Sequence, residues 1–138
     1  MPVTNVVFAP EVVDSLLSYA KMAHPDEGIL LLRGKTKKGV VEVTSVAVPP
    51  AAVHARSYSS FNWWMLPLDM SYLGVAHSHP SGYAVPSHED LLHATGRIMV
   101  IMGYPYSDDS CIGVFDHNGN RVPFEVRHEG SVESSRGR

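Results

Sequence analysis

Two histidines and one aspartate have the types and spacing that could bind a metal ion. His77 and His79 are two positions apart, directly before Pro80, and Asp90 follows after a short loop sequence. In a strand, residues i and i+2 point to the same face, so the two imidazoles would lie side by side. Two neutral imidazoles and one carboxylate form a recurring ligand set for catalytic zinc, with the fourth position left to water. The pattern therefore predicts a metal site, with zinc as the expected ion. The same ligand types would also suit iron or cobalt.

Ser87 stands where the sequence predicts the start of a helix, and Asp90 lies three residues further on, in its first turn. Ser-x-x-Asp at a helix start also resembles a capping box, which has a purely structural use. The capping and catalytic interpretations of Ser87 are compatible. Glu89 is a rival ligand, but the spacing favours Asp90, and Glu89 is better explained as a favourable charge at the helix N-terminus.

The sequence around these residues predicts a mixed α/β or α+β domain, with one mainly antiparallel or mixed sheet and two helices that position the candidate ligands. Pro10–Ala23 is the first expected helix, because proline suits a first turn and the apolar residues recur on one face. The apolar run at 29–32 predicts a central strand that is buried on both faces. Residues 34–39, with three lysines, are expected to form a solvated hairpin loop rather than a nucleic-acid patch. The expected strands are 28–32, 40–48, 52–58, 72–76, 97–103, 110–115 and 122–127, with a helix at 87–95 and a turn at 116–120 that closes the last hairpin.

Composition bounds the class of protein. The chain has 138 residues and is 44% hydrophobic, which suits one globular domain, here expected over residues 1–128 with a disordered tail at 129–138. The net charge of −3 shows no excess of positive charge, so it does not favour binding to nucleic acid or to an anionic membrane. The single cysteine, Cys111, excludes an internal disulfide and a cysteine-rich zinc site, and it is expected to be a buried small hydrophobe on a strand. No apolar run is long enough to span a bilayer, and a cytoplasmic location is expected.

The motif His77-Ser78-His79-Pro80, followed by Ser87-x-x-Asp90, matches the signature of the JAMM (MPN+) metalloproteases. The chain resembles this family over roughly residues 5 to 127. The family also has an upstream glutamate beside an apolar strand, and Glu27 fits that place. Further similarity, at Pro86 and residues 90–91, 96–97 and 104–106, is greatest to the compact archaeal members.

The resemblance implies an MPN/JAB fold, which is cytidine-deaminase-like, and a zinc protease. His77, His79 and Asp90 would ligate Zn²⁺. Glu27 would be the general base for the attacking water and would then deliver the proton to the leaving amine, while Ser87 would stabilise the oxyanion. Without the motif, Glu27 would be interpreted as an exposed carboxylate at a strand entrance.

The chain departs from the family pattern at positions that are not ligands. Leu30 stands where the family often has glycine, whereas the glycine here is Gly28, and Ala76 replaces an aromatic residue before the first histidine. The short run 91–106 leaves no room for the insertion with which larger eukaryotic members grip a distal modifier.

The implied activity is an isopeptidase that removes ubiquitin-like modifiers after a Gly-Gly tail, with modifiers of the small archaeal type. One alternative is a hydrolase that processes a sulfur-carrier protein, and another is a metal-free scaffold of the same fold. The expected partners are therefore ubiquitin-like or sulfur-carrier proteins, and a homodimer stays open. A cytidine deaminase is excluded, because it needs Pro-Cys-x-x-Cys.

The remaining aromatic and histidine residues carry weaker expectations. The cluster from Phe61 to Leu66 is expected to be core or an exposed binding ridge beside the site. His88 and His93 are expected at the surface or behind the ligands. Three histidines have no motif support: His54, His117 and His128.

Overall fold

The computed structural model describes residues 2–49, 70–92 and 94–127. The described strands are β1 (Asn5–Phe8), β2 (Ile29–Lys37), β3 (Val40–Ala47), β4 (Tyr72–His79), β5 (Ile98–Gly103), β6 (Ile112–Asp116) and β7 (Phe124–Val126). The helices are α1 (Pro10–Ala23), α2 (His88–Leu92) and a 3₁₀ turn at Asp109–Cys111. Among these helices, none is long and apolar enough to cross a membrane.

The seven strands form one mixed sheet in the order β6-β5-β4-β2-β3-β1-β7. β2 runs antiparallel to β3 and β4, whereas β5 lies parallel to β4 and β1 lies parallel to β3. The mixed sheet with few helices confirms the α+β prediction.

β2 lies at the centre of the sheet and is buried on both faces, as predicted. Leu30 and Leu32 pack into the core cluster that includes α1, whereas Ile29 and Leu31 pack into a second cluster on the other face. All four side chains are at most 2% exposed. The continuous apolar run follows from this position, because neither face of the strand meets water.

α1 has the predicted bounds, with proline in its first turn. Its buried residues recur at helical spacing and cover the sheet beside Leu30 and Leu32. They are Val12, Val13, Leu16, Leu17 and Ala20.

The predicted loop at 34–39 is wrong in length. β2 continues to Lys37, and the chain reverses at Lys38 and Gly39, both of which have positive φ. A two-residue turn of this kind has a backbone twist that matches the twist of the flanking strands, so pairing can continue up to the turn.

The predicted final hairpin forms only next to its turn, where the Val122 N–H bonds to the Val114 carbonyl, and its predicted extent to residue 127 is wrong. Within the described residues, a single bridge between Phe115 and Arg121 joins β6 to the chain that follows it. β7 instead pairs in parallel with β1, a strand that the sequence analysis missed. The side chain of Asp116 accepts hydrogen bonds from the backbone of Asn118 and Asn120, and this turn sends the chain towards the opposite edge of the sheet.

Two smaller expectations need correction. Cys111 ends the 3₁₀ turn and is partly exposed, so it is not a buried strand residue. α2 is shorter than the predicted helix 87–95. Outside the described residues lie the expected strand at 52–58, the aromatic cluster from Phe61 to Leu66, the tail at 129–138, and His54, His93 and His128.

An ion-pair group ties three strands together at the far end of β2. Glu42 of β3 bonds to Arg127, which follows β7, and lies 3.5 Å from the Lys35 ammonium of β2. The bond to Arg127 holds the pKa of Glu42 below its ordinary value, against the opposing effect of burial. Because the folded pKa is lowered, the stabilisation is present above the unfolded pKa and is lost as pH falls through the folded pKa.

We expect Glu42→Gln to remove this pH-dependent part of the stability. The loss at pH 7 should stay within about 1 kcal/mol, because the group is partly exposed and screened by solvent. Urea midpoints at pH 7 and pH 4 measure it, with the exposed Asp14→Asn on α1 as a charge-matched control. An equal loss for Glu42→Gln at both pH values would contradict the prediction.

Candidate metal centre

β4 carries both predicted histidine ligands at its C-terminal end. His77 lies opposite Ile29 of β2 and Ile101 of β5, and it is fully buried. His79 is the last residue of the strand and is partly exposed. The centroids of the two imidazole rings are 4.9 Å apart. The i, i+2 spacing therefore brings the rings together on one face of the sheet, as predicted.

α2 brings Asp90 against the two histidines. The carboxylate is 4% exposed; its Oδ2 lies 3.0 Å from Nε2 of His79, and its Oδ1 lies 3.7 Å from Nε2 of His77. One possible ligand atom from each of the three residues lies within 4.8 Å of the others. The structure thus assembles the predicted ligand set, while the ligand role itself stays a prediction.

Ser87 and Asp90 bond to each other in both directions. The Ser87 backbone N–H donates to Oδ2 of Asp90 over 2.8 Å, and the Asp90 backbone N–H donates to the Ser87 hydroxyl oxygen over 3.1 Å. These bonds have the pattern of a capping box. Because the cap uses only an acceptor site of the hydroxyl, the O–H of Ser87 can still donate to a substrate atom.

The backbone carbonyl of Tyr83 sets the tautomer of His79. It lies 2.7 Å from Nδ1 of His79, and a carbonyl oxygen can only accept, so Nδ1 carries the proton. Nε2 is then directed towards Asp90. Metal-binding histidines commonly use one ring nitrogen for such a bond and the other for the metal. The sequence analysis missed this role because a backbone carbonyl has no residue-type signal.

Burial and pairing divide the charge states within the site. Burial lowers the pKa of His77 to about 3, so this imidazole is neutral and can coordinate a cation. Burial alone would raise the pKa of Asp90, but its bonds, first to His79, lower it below the ordinary value. For His79, burial lowers the pKa, but the bonds to Asp90 and Tyr83 outweigh it and raise the pKa.

These features fit a divalent cation. Two imidazole nitrogens and a carboxylate converge, one histidine is held neutral, and the carboxylate is held charged. Nε2 of His79 and Oδ2 of Asp90 lie 3.0 Å apart, and a cation bound between them would take the place of a shared proton. The donor types are those of catalytic zinc sites.

Glu27 and Ser87 lie at the same cleft as this cluster. The cleft has a volume of about 530 Å³ and is open to solvent. Glu27 precedes β2, is partly buried, and acts on His79 through its charge, which helps to raise the pKa of that ring. The other residues that line the cleft are His79, Pro80, Ser81, Tyr83, Val85, Pro86, Glu89 and Asp90. The cleft therefore combines the Glu27 carboxylate and the Ser87 hydroxyl with two of the three candidate metal ligands, His79 and Asp90.

Of the other titratable residues considered, none joins the cluster. Glu89 lines the cleft but is exposed, whereas Asp90 is buried beside the two histidines. The carboxylate that the sequence spacing favoured is therefore the one that lies against them. His88 is exposed on α2, and His117 is exposed in the turn after β6.

Two of the known proteins similar to this chain are described in terms of metal chemistry. A probable metalloprotease of Haloferax volcanii is 32% identical over 128 residues, which cover 88% of this chain and 79% of that protein. A crystal structure of a JAB1/MPN domain protein from Archaeoglobus fulgidus has a TM-score of 0.67 and 28% identity, covering 89% and 97% of the two chains. A structure described as JAMM, a metalloprotease-like zinc site in the proteasome and signalosome, has a TM-score of 0.64 and 27% identity, covering 93% and 100%.

These likenesses confirm the JAB/MPN fold predicted from the motif. The family described as prokaryotic homologs of the JAB domain matches residues 9–111, which is more than half of the chain and includes Glu27 and the cluster at His77, His79 and Asp90. This chain belongs to the prokaryotic JAB-domain family, whose relatives include a probable metalloprotease.

Proposed function

We propose that the protein is a zinc-dependent isopeptidase or peptidase that hydrolyses the amide bond after the C-terminal Gly-Gly of ubiquitin-like proteins of the small archaeal modifier type. The observation that carries the proposal is the shared cleft, in which Glu27 and Ser87 lie beside His79 and Asp90. An amide is a poor leaving group, so its hydrolysis needs a polarised carbonyl, an activated water and a proton for the nitrogen.

His77, His79 and Asp90 would hold the metal. Zinc at this position would act as a Lewis acid on the carbonyl and lower the pKa of water to about 7. The neutral state of His77 and the carboxylate state of Asp90 favour cation binding before substrate arrives.

Glu27 would move the protons. Its carboxylate borders the cleft beside His79, where it would accept a proton from the attacking water and deliver it to the departing amine nitrogen. The Ser87 O–H would donate to the oxygen on which negative charge develops, because its lone pair already accepts from the Asp90 N–H.

The open cleft suits an extended peptide next to a bulky substrate. Its rim includes Tyr83, which is 74% exposed, and Val85, which is 45% exposed. Apolar groups of this kind can cover the chain on either side of a scissile bond. A sulfur-carrier protein is the alternative substrate. We further propose that the protein acts in the cytoplasm and that its partners are these substrate proteins, and neither nucleic acid nor membranes.

The first prediction concerns zinc. We expect one zinc per chain. Loss of a residue that only hydrogen-bonds to a metal ligand lowers metal affinity about 10- to 100-fold, and we expect His77→Ala, which removes a ligand itself, to lower zinc affinity by more than that. Zinc content by mass spectrometry after dialysis measures this, with His117→Ala as the matched control. A metal-free protein at saturating zinc would instead favour a scaffold role, and iron or cobalt purified with the chain would replace zinc in the proposal.

The second prediction concerns Glu27. We expect Glu27→Gln to lower kcat about 10²- to 10⁴-fold on a lysine-linked ubiquitin-like conjugate, because the general base is lost, while bound zinc stays at one per chain. Asp26→Asn, which neutralises the exposed neighbouring carboxylate, should leave kcat within about threefold. A chelator should abolish cleavage by the wild type.

Each outcome of that assay is informative. Full activity in Glu27→Gln would remove Glu27 from the reaction. If the zinc-loaded wild type cleaves no conjugate but releases an adduct from a sulfur-carrier protein, the isopeptidase proposal is wrong and the alternative substrate replaces it.

The third prediction concerns Ser87. We expect Ser87→Ala to lower kcat about 10²- to 10³-fold, the usual cost of one lost oxyanion donor. The helix cap would also be lost, at about 1 kcal/mol of stability. Ser87→Thr keeps both the acceptor and the donor and should restore most of kcat. A fall in kcat that only follows the loss of zinc would contradict the oxyanion role.

A further inference from the structure

Ser78 lies between the two histidines but faces the other side of the sheet. Because neighbouring strand residues alternate, the side chains of His77 and His79 point to the metal face and that of Ser78 points towards α1. Ser78 is fully buried. A buried hydroxyl needs hydrogen-bond partners, so the partners of Ser78 indicate its use.

The main partner of Ser78 is the backbone of Gly28, the residue directly after Glu27. The Ser78 N–H donates to the Gly28 carbonyl over 3.0 Å. The Gly28 N–H donates to the Ser78 hydroxyl oxygen over 2.7 Å, where a regular antiparallel pair would use a backbone carbonyl. Both polar groups of Gly28 are therefore held by this one residue.

Tyr106 is a second hydrogen-bond partner of the Ser78 side chain. Tyr106 is 1% exposed, and its own hydroxyl lies 3.4 Å from Nδ1 of His24, at the end of α1. Burial raises the pKa of Tyr106, its hydrogen bond with Ser78 lowers it, and the charge of Glu27 raises it.

Side-chain packing limits Gly28 as well. A Cβ at this position would lie 2.9 Å from ring atoms of Tyr19 and 3.2 Å from Cβ of Ala23, both on α1. The backbone beside Glu27 is consequently fixed by α1 on one side and by Ser78 at both of its polar groups.

We propose that Ser78, supported by Tyr106, is a positioning residue for Glu27: its hydroxyl holds the Gly28 amide and so keeps the Glu27 carboxylate beside His79. The inference rests on the proposed function for its catalytic consequence, whereas the hold on Gly28 can be tested without catalysis. Small displacements of a catalytic group cost large factors in rate, so a lost hydrogen bond one residue away should be visible in kcat.

The kinetic test is a double-mutant cycle. We expect Ser78→Ala to lower kcat about 10- to 100-fold with KM and zinc content unchanged, and to lower it by less than about threefold in a Glu27→Gln background, because both changes act on one step. Ser78→Thr, which keeps the hydroxyl, should remain within about threefold of the wild type. Ser71→Ala, which removes a hydroxyl bonded to Arg33 at the opposite end of β4, should have no effect.

The second measurement is amide hydrogen exchange of the metal-free protein. We expect the Gly28 amide to exchange at least about tenfold faster in Ser78→Ala, with the Leu31 amide of β2 unchanged. Ser78→Cys, whose sulfur is only a weak acceptor, replaces Ser78→Ala if that variant does not fold. Tyr106→Phe, which keeps the Ser78 hydroxyl on Gly28, should have a smaller effect.

The two measurements separate the two claims. If the wild type cleaves no substrate, the proposed function fails, and Gly28 exchange alone decides the inference. Unchanged Gly28 exchange in Ser78→Ala overturns the positioning role, as does an equal loss of kcat in the wild-type and Glu27→Gln backgrounds.

Discussion

The antiparallel pairing of β2 with β4 is the constraint on which the site depends. It joins the segment after Glu27 to the strand that carries His77 and His79, with Ile29 opposite His77. A shift of register by one residue would turn His77 to the α1 face and Ser78 to the metal face. Such a shift is opposed because it would turn the His77 imidazole into the apolar cluster against α1 and separate the Gly28 amide from the Ser78 hydroxyl.

The polar residues that the described part of the chain buries are those of the site: His77, Ser78 and Asp90. Burial of polar groups is unfavourable unless they are paired. Here Asp90 is met by His79 and by the Ser87 backbone, and Ser78 is met by Gly28. β4 and α2 therefore bury polar groups where apolar side chains would be more stable, which is typical of sites selected for chemistry.

Much of this arrangement could be predicted from the sequence, because it follows from local rules. The i, i+2 histidines, the Ser-x-x-Asp helix start and the apolar run of β2 each correspond to a short pattern with a direct geometric meaning. The pairing of β7 with β1 could not be predicted in this way. It depends on how Asp116 turns the chain, and two short strands far apart in sequence contain no signal for each other. The contacts of Ser78 and Tyr83 were missed for the same reason, since they depend on which strands meet.

The position of β1 has a consequence for the order of folding. β1 is hydrogen-bonded on one side to β3 and on the other to β7, so residues 5–8 and 124–126 lie side by side. During synthesis, the metal-face residues from Glu27 to Asp90 can leave the ribosome before β1 has its second neighbour. Until residues 124–126 appear, β1 is an open sheet edge that can pair with another chain. When β7 pairs with β1, it becomes the sheet edge itself, and with three residues it offers a shorter template for pairing with another chain.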